Sequence, residues 1–321
     1  MITNSIFART SWRHLRQLRT QQPWMEHGEM EWWTDFYVEG SKHELAKVRE
    51  IVEGGETNLY RAINLFQLWE LTHKRQYEDG PGTLFYVKQE FKYADSFFPT
   101  GKPILTSTFL GGKMLKLPSY SKKHLGRFIL DYLEHEGLAV DTIVELSAGW
   151  GRFLFDLYFN GSPSDIALIS GEVSSEARQI TEVLCDLDPA IPITAHDFDF
   201  YRPNLDFLKD TDSVLFFTHM AVMFIPELQR EAILKMANSA KRVRCIHFEP
   251  VGFQVLAGQY MAAKMQGVVA GFKGFNQNLI TLLEELHNEN LITVRGLFKD
   301  IIVDVDRTHA ISVVIWEGGS G

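Results

Sequence analysis

Cysteine is nearly missing. Cys185 and Cys245 are the only two in 321 residues, too few for a disulfide framework or a cysteine-rich zinc site, and they fit a reducing compartment with the cytoplasm as the expected location. No apolar run approaches the ~20 residues of a membrane span. The longest, Val214 to Ile225, is interrupted by Thr218 and His219 and reads as a buried strand. Low-complexity tracts and internal repeats are also missing, and 45% apolar with 23% charged residues describes an ordinary globular chain. Positive charge is scarce over most of the length. Residues 1–125 carry 17 Lys and Arg against 14 Asp and Glu, the remainder 15 against 27, and the net charge is −9. So acidic a main region repels a phosphate backbone, which argues against nucleic acid as a partner and favours a neutral or cationic small ligand.

This length suits one large α/β domain with a smaller region attached. The boundary is placed at 137/138: residues 1–137 as a helical and β-turn lid or substrate region, and 138–321 as the main domain. Near the start, Arg9, Arg13, Arg16 and Arg19 stand among Ser and Thr with no acid before Glu26, a pattern that resembles an organelle transit peptide. The preferred alternative is an amphipathic helix that turns Trp12, Leu15 and Leu18 toward a core.

Between Ser41 and Arg75 apolar residues recur at three and four, which predicts two helices separated by Gly54-Gly55. The segment Gly80 to Ser121 changes to short β-like runs, with Gly111-Gly112 suited to a two-residue hairpin turn. A helix is expected from about Ser121 to a cap at Gly137. Strand and helix then alternate. Strands fall near 142–147, 166–171, 192–195, 213–218 and 244–249, with helices at 151–160, 174–186, 226–240 and 254–268. Such alternation predicts a parallel sheet covered on both faces. Two final strand-like runs, joined by only Asp306 to His309, predict a closing hairpin and therefore one antiparallel strand. The fold class is thus a Rossmann-like, mostly parallel seven-stranded α/β sheet with a terminal antiparallel hairpin.

Ligands of such sheets sit where strand carboxyl ends meet helix N-termini. At the first of these ends stands "VELSAGWGRF", with Glu145, Ser147, Ala148, Gly149, Trp150 and Gly151 in a bend of mostly small residues. A nicotinamide-binding loop needs a further glycine where Arg152 or Leu154 stands. Glu172 follows the second strand, 21 residues after Gly151, and Asp197-Phe198 follows the third. Acidic residues at three successive strand ends, followed by the hairpin, resemble the class I S-adenosylmethionine-dependent methyltransferases over roughly residues 138 to 317. Ser147 replaces the first glycine usual in that family. The resemblance implies that S-adenosyl-L-methionine lies against 147–151, with Glu145 near the base of the bend and Trp150 near its rim. It further implies that Glu172 accepts from the ribose hydroxyls, Asp197 meets the adenine amino group and Phe198 covers the ring.

Methyl transfer needs alignment more than side-chain chemistry, although a hydroxyl acceptor benefits from a general base. His219 and Glu249, at the ends of the fourth and fifth strands, are the candidate catalytic residues, with His196 and His247 ranked below them. No metal site is expected, since Asp197, Asp199, His219 and Glu249 match no fixed metal spacing. The leader, "GEVS", "FEPVGF" and "GFNQNL" together look similar to bacterial sugar O-methyltransferases, which implies a small-molecule acceptor such as a glycoside or sugar nucleotide. In that reading Asn276, Gln277 and Asn278 would bond a polyol while Trp150, Phe253 and Tyr260 stack on it. Alternatively, Asn276 caps a helix. N- or carboxyl-methylation, nicotinamide-dependent reduction and a non-catalytic binding module remain the other readings. Trp24, Trp32 and Trp33 would mark a homodimer surface if exposed.

Overall fold

In the computed structural model the described residues are 31–77, 84–88, 105–110, 113–118, 125–255, 261–302 and 311–319. The proposed N-terminal helix, Trp24 and Tyr260 lie outside them. Two helices come first, α1 (Glu31–Glu53) and α2 (Leu59–Thr72), with the break at Gly54-Gly55. The chain leaves the helical pattern at Thr72, not Arg75, because His73–Tyr77 forms β1, paired antiparallel with β2 (Leu84–Lys88). A second small antiparallel pair, β3 (Leu105–Leu110) and β4 (Lys113–Pro118), places Leu110 opposite Lys113, so the pairing brackets the two glycines as expected for a hairpin.

Helix α3 (Leu125–Glu136) buries Leu125, Ile129 and Leu133, one stripe at a spacing of four. It ends as the sequence indicates, with Gly137 at φ 62° and the Leu138 N–H returned to the Leu133 carbonyl at 2.9 Å. Strands and helices then alternate: β5 (Thr142–Leu146), α4 (Arg152–Phe159), β6 (Ala167–Glu172), α5 (Ser175–Cys185), β7 (Ile193–Asp197), β8 (Ser213–His219), α6 (Arg230–Ala237) and β9 (Arg242–Glu249). Helix α7 (Met261–Lys273) begins later than expected, after a 3-10 turn at Gly252–Gln254. A helix expected only through the capping alternative for Asn276, α8 (Leu279–Asn288), precedes the hairpin β10 (Thr293–Ile302) and β11 (Ile311–Gly318).

One seven-stranded sheet results, in the order β10-β11-β9-β8-β5-β6-β7. Strands β9, β8, β5, β6 and β7 pair in parallel, and β11 runs antiparallel to both of its neighbours. Order reverses beside β5, from which the chain proceeds outward to β6 and β7 and then returns to β8 on the other side. That switch opens a crevice at the carboxyl end of β5.

Period-two alternation divides the sheet into two buried faces. Val144, Leu146, Val214, Phe216, Val243 and Cys245 meet α6 and α8 on one face. Ile143, Leu168, Leu215, Phe217, Ile246 and Phe248 meet α3, α4 and α5 on the other. Leu45, Val48, Ile63 and Phe66 of α1 and α2 belong to this second core, so the leader helices help to cover the sheet. Each such side chain contributes about 1.5–3 kcal/mol when fully buried.

Candidate active site at the strand carboxyl ends

The bend after β5 turns a strand into a helix within five residues by placing three of them in the left-handed region: Ser147 (φ 54°), Gly149 (φ 56°) and Gly151 (φ 74°). For Ser147 this conformation costs about 1–2 kcal/mol, and neighbouring bonds hold it. The Ala148 N–H donates to the Gly171 carbonyl at 3.2 Å, and the Gly149 N–H donates to Glu172 Oε2 at 2.8 Å. A side chain built on Gly149 would meet nothing within 4 Å, so the bend presents bare backbone to open space.

Glu172 ends β6 and is only 6% exposed. Its Oε1 accepts the Ser174 N–H at 2.9 Å while Oε2 holds Gly149. Burial pushes the carboxyl above its ordinary value, and the bonds from Ser174 and Gly149 oppose that shift. A carboxylate offers about four acceptor positions. The Ser174, Gly149 and Val173 N–H groups take up part of that capacity, and the remainder is available to a hydroxyl donor.

Glu145 lies beneath the bend, 2% exposed, with Oε2 lacking a hydrogen-bond partner. Burial first, and the Glu172 charge second, raise it well above the ordinary carboxyl range against the pull of the Leu154 and Phe153 N–H groups. Ser170 stands opposite it in the β5–β6 register, and its buried hydroxyl is likewise unpartnered.

Asp197 is the register neighbour of Glu172, so these carboxylates do end adjacent strands. Its side chain is 71% exposed and pairs with Arg178 Nη1 at 2.8 Å. The same Nη1 donates to the carbonyls of Glu172 and Val173, so Arg178, which sequence reasoning missed, ties the ends of β6 and β7 together. So exposed a pair is worth about 0–1 kcal/mol, which makes Asp197 easy to redirect.

Two expectations for aromatic residues are corrected. Trp150 is 6% exposed and does not line the crevice. It is turned beneath α2, where Nε1 donates to Glu70 Oε1 at 3.0 Å and the ring meets Phe66 edge-on at 5.3 Å. Phe198 is 1% exposed and packs edge-on against Phe200 at 4.9 Å within the core of the other face, so it covers no open surface.

The catalytic candidates separate because of strand alternation. His219 shares a face with Leu215 and Phe217, and its ring lies 4.5 Å from that of Phe153 at the start of α4, next to the bend. Glu249 points to the opposite face and is fully buried, with every oxygen engaged. Oε1 accepts from Thr218 Oγ1 at 2.7 Å and from the Ala221 and Val222 N–H groups at 3.0 Å, while Oε2 accepts the Met223 N–H at 3.2 Å. Burial moves its carboxyl up to about 7 despite these bonds. Its expected place facing an acceptor beside His219 is therefore corrected, since its task is to hold the turn after β8.

Of the lower-ranked histidines, His247 is buried beside this network and driven down to about 3 by burial, hence neutral. His196 stacks on Phe207 at 4.8 Å. Asn276 and Asn278, expected to bond a polyol, are committed to the fold. Asn276 Oδ1 accepts the Leu279 N–H at 2.9 Å at the start of α8, and Asn278 bonds both polar groups of the Leu228 backbone at 2.9 Å. Asn276 thus bonds the start of the helix as the capping alternative had it, although the N-cap position itself is Asn278. Among the described residues no cluster of His, Cys, Asp or Glu could hold a metal ion, and no helix is long and apolar enough to cross a membrane.

The sheet order, the switch beside β5 and the single antiparallel strand are those of the class I methyltransferase fold that the sequence resembles. Neither a protein-family model nor a curated protein matches the chain. Solved structures similar to it include the methyltransferase domain of bacterial CtHen1-C, at 12% identity and TM-score 0.42 over 62% of this chain and 98% of that one. The plantazolicin methyltransferase BamL, solved with S-adenosylhomocysteine and a desmethyl analogue, matches at 9% identity and TM-score 0.39 over 62% and 84%. The geranyl diphosphate C-methyltransferase of Streptomyces coelicolor A3(2) matches at 11% identity and TM-score 0.40 over 61% and 78%.

Proposed function

We propose that the chain is an S-adenosylmethionine-dependent methyltransferase acting on a hydroxyl group of a small molecule. The observation that carries this reading is the convergence of Glu172 on the bend: a buried carboxylate fixes the open Gly149 backbone and retains acceptor capacity beyond its backbone bonds. A nucleoside ribose supplies hydroxyl donors to it. Asp197, one strand further along, is within the same row of strand ends and is available to an adenine amino group once it leaves Arg178.

The bound cofactor supplies an activated methyl group on a cationic sulfonium. The residues of this chain bind, orient and deprotonate. Gly149 and Gly151 allow close approach of the backbone, Glu172 fixes the nucleoside, and the buried Glu145 supports the bend from below. Ser147 and Ala148 complete the loop without side-chain bulk. His219 is the base that removes the acceptor's hydroxyl proton, its imidazole set against Phe153 at the entrance to α4.

A sugar-containing acceptor is the narrower form of the proposal, although the commitment of Asn276 and Asn278 removes two of its supports. Methylation of nitrogen or of a carboxylate is the alternative, and it needs no base at His219. The test is calorimetric titration with S-adenosylhomocysteine, with NADH as the comparison. Saturable one-to-one binding of the first alone supports the reading, and binding of neither refutes it.

A further inference from the structure

Behind the catalytic face, the buried polar residues of β8, β9 and β11 form a directed chain. The Trp316 indole can only donate, so His247 Nε2, 3.0 Å away, must be the acceptor. His247 is neutral, so its proton lies on Nδ1, which then donates to Thr218 Oγ1 at 3.0 Å. Thr218 passes its own hydroxyl proton toward Glu249 Oε1 at 2.7 Å. The carboxylate ends the chain and receives three backbone N–H groups from Ala221, Val222 and Met223.

Those N–H groups belong to the turn that follows His219. Met220 adopts φ 51° there, a left-handed conformation unusual for its residue type, and its N–H is held by the Phe248 carbonyl at 2.9 Å. Its side chain packs against both the core that contains Phe153 and a small cluster of Met223, Ala270 and Phe275. Phe224 closes that cluster, edge-on to Phe275 at 5.5 Å. The turn therefore carries methionine and phenylalanine side chains that run from the core of Phe153, on which the His219 ring lies, to the Met223 cluster.

We propose that Glu249 is a positioning residue: its carboxylate, with no access to the acceptor itself, sets the turn 220–224 and thereby places these apolar side chains against the core on which the His219 ring lies. The two oxygens are unequal. Oε1 serves three donors and Oε2 one, so a proton added to the carboxyl resides on Oε2 and weakens the bond from Met223 while the other three persist. The last anchor of the turn then becomes sensitive to protonation. Groups around Glu249 are Thr218 from β8, its register partner Ser312 from β11 and His247 from β9, with Cys245 and Trp316 further along the same face and the turn backbone above. None of these side chains carries a formal positive charge at neutral pH.

The proposal concerns the turn and its apolar side chains and is independent of which cofactor binds, so its failure leaves the titration with S-adenosylhomocysteine unaffected. The experiment uses the full chain labelled at its methionine methyl carbons, with M220L and M223L to assign the two signals and Met236, buried in α6, as an internal reference. Between pH 5.5 and 8.5 the Met220 and Met223 signals are expected to shift through one transition while Met236 stays in place. E249Q should abolish that transition. T218V keeps the carboxylate but removes a bond that favours its charged form, so the midpoint should rise by roughly one pH unit; this holds even if E249Q does not fold. Flat Met220 and Met223 signals in the parent protein, or a transition unchanged in E249Q or T218V, would overturn the assignment.

Discussion

Replacing Glu172 by Gln separates its two tasks. The amide keeps the shape of the side chain but offers one oxygen where the carboxylate offers two. Whichever way it turns, its NH2 group confronts either the Gly149 N–H, now 2.8 Å from an acceptor, or the Ser174 N–H at 2.9 Å. A buried donor left unpaired costs about 1–3 kcal/mol of stability. Cofactor binding loses more specifically: acceptance of a ribose hydroxyl by a charged oxygen is replaced by a neutral bond. A charged bond is worth about 1.5–3 kcal/mol, so affinity for S-adenosylhomocysteine should fall roughly tenfold to a hundredfold. Calorimetry at fixed pH reads that loss, and a melting curve checks that the variant is folded. Ser174→Ala is the control. It removes the cap on the Ala177 N–H at 3.2 Å, costing α5 about 1 kcal/mol, without touching the carboxylate. Equal losses in both variants would mean that loop stability alone is being measured. An affinity within twofold of the parent in Glu172→Gln would remove Glu172 from the site.

Gly149→Ala should fold, because nothing lies within 4 Å of the new methyl group, at a cost of about 1–2 kcal/mol for the left-handed backbone; cofactor binding, measured by the same titration, should be lost as that methyl enters the crevice. His219→Ala should retain cofactor affinity while turnover of labelled cofactor with a hydroxyl acceptor falls by about a hundredfold or more, whereas unaltered turnover would favour an acceptor that needs no base. The contribution of Glu249 to stability should fall as pH rises from about 4.5 to 7, against an opposite contribution from His247, whose buried neutral imidazole loses stability as pH falls from about 6.5 to 3. Glu249 binds its proton more tightly folded, about 7, than the ordinary 4.5, so the folded state is favoured below this window and loses about 3 kcal/mol across it. Glu145 and Glu172 shift the same way. The difference in melting temperature between the parent and E249Q, recorded from pH 5 to 8, isolates the Glu249 contribution, and a difference that grows with pH would contradict it.

The sheet was legible because its signals are local. Parallel strands read as short apolar runs, and four residues between the last two leave no room for a crossover. Helices were harder where their stripe is faint. Ala262, Ala263, Gly267, Ala270 and Gly271 give α7 no clear apolar face, and the expected start at residue 254 falls in a 3-10 turn. The strand-end carboxylates could be found by spacing, but the direction of each side chain depended on facts no spacing encodes. Trp150 between glycines suggests an exposed rim, yet the left-handed bend turns it toward Phe66. Glu249 differs from His219 by strand parity, which one residue of uncertainty in a strand boundary conceals. Arg178 carried no motif at all, because its partners are carbonyls that only the fold assembles.

The bond from Trp150 to Glu70 joins the cofactor-side bend to a helix of the leader, across a core that the two share. The leader is therefore a structural tenant of the same house rather than a detachable cap. Exchanging it for another, as one might in building a chimaera with new acceptor preference, would also retune the bend itself. A graft would have to carry a carboxylate at the place of Glu70 and an aromatic ring at the place of Phe66, or else bring its own bend with it.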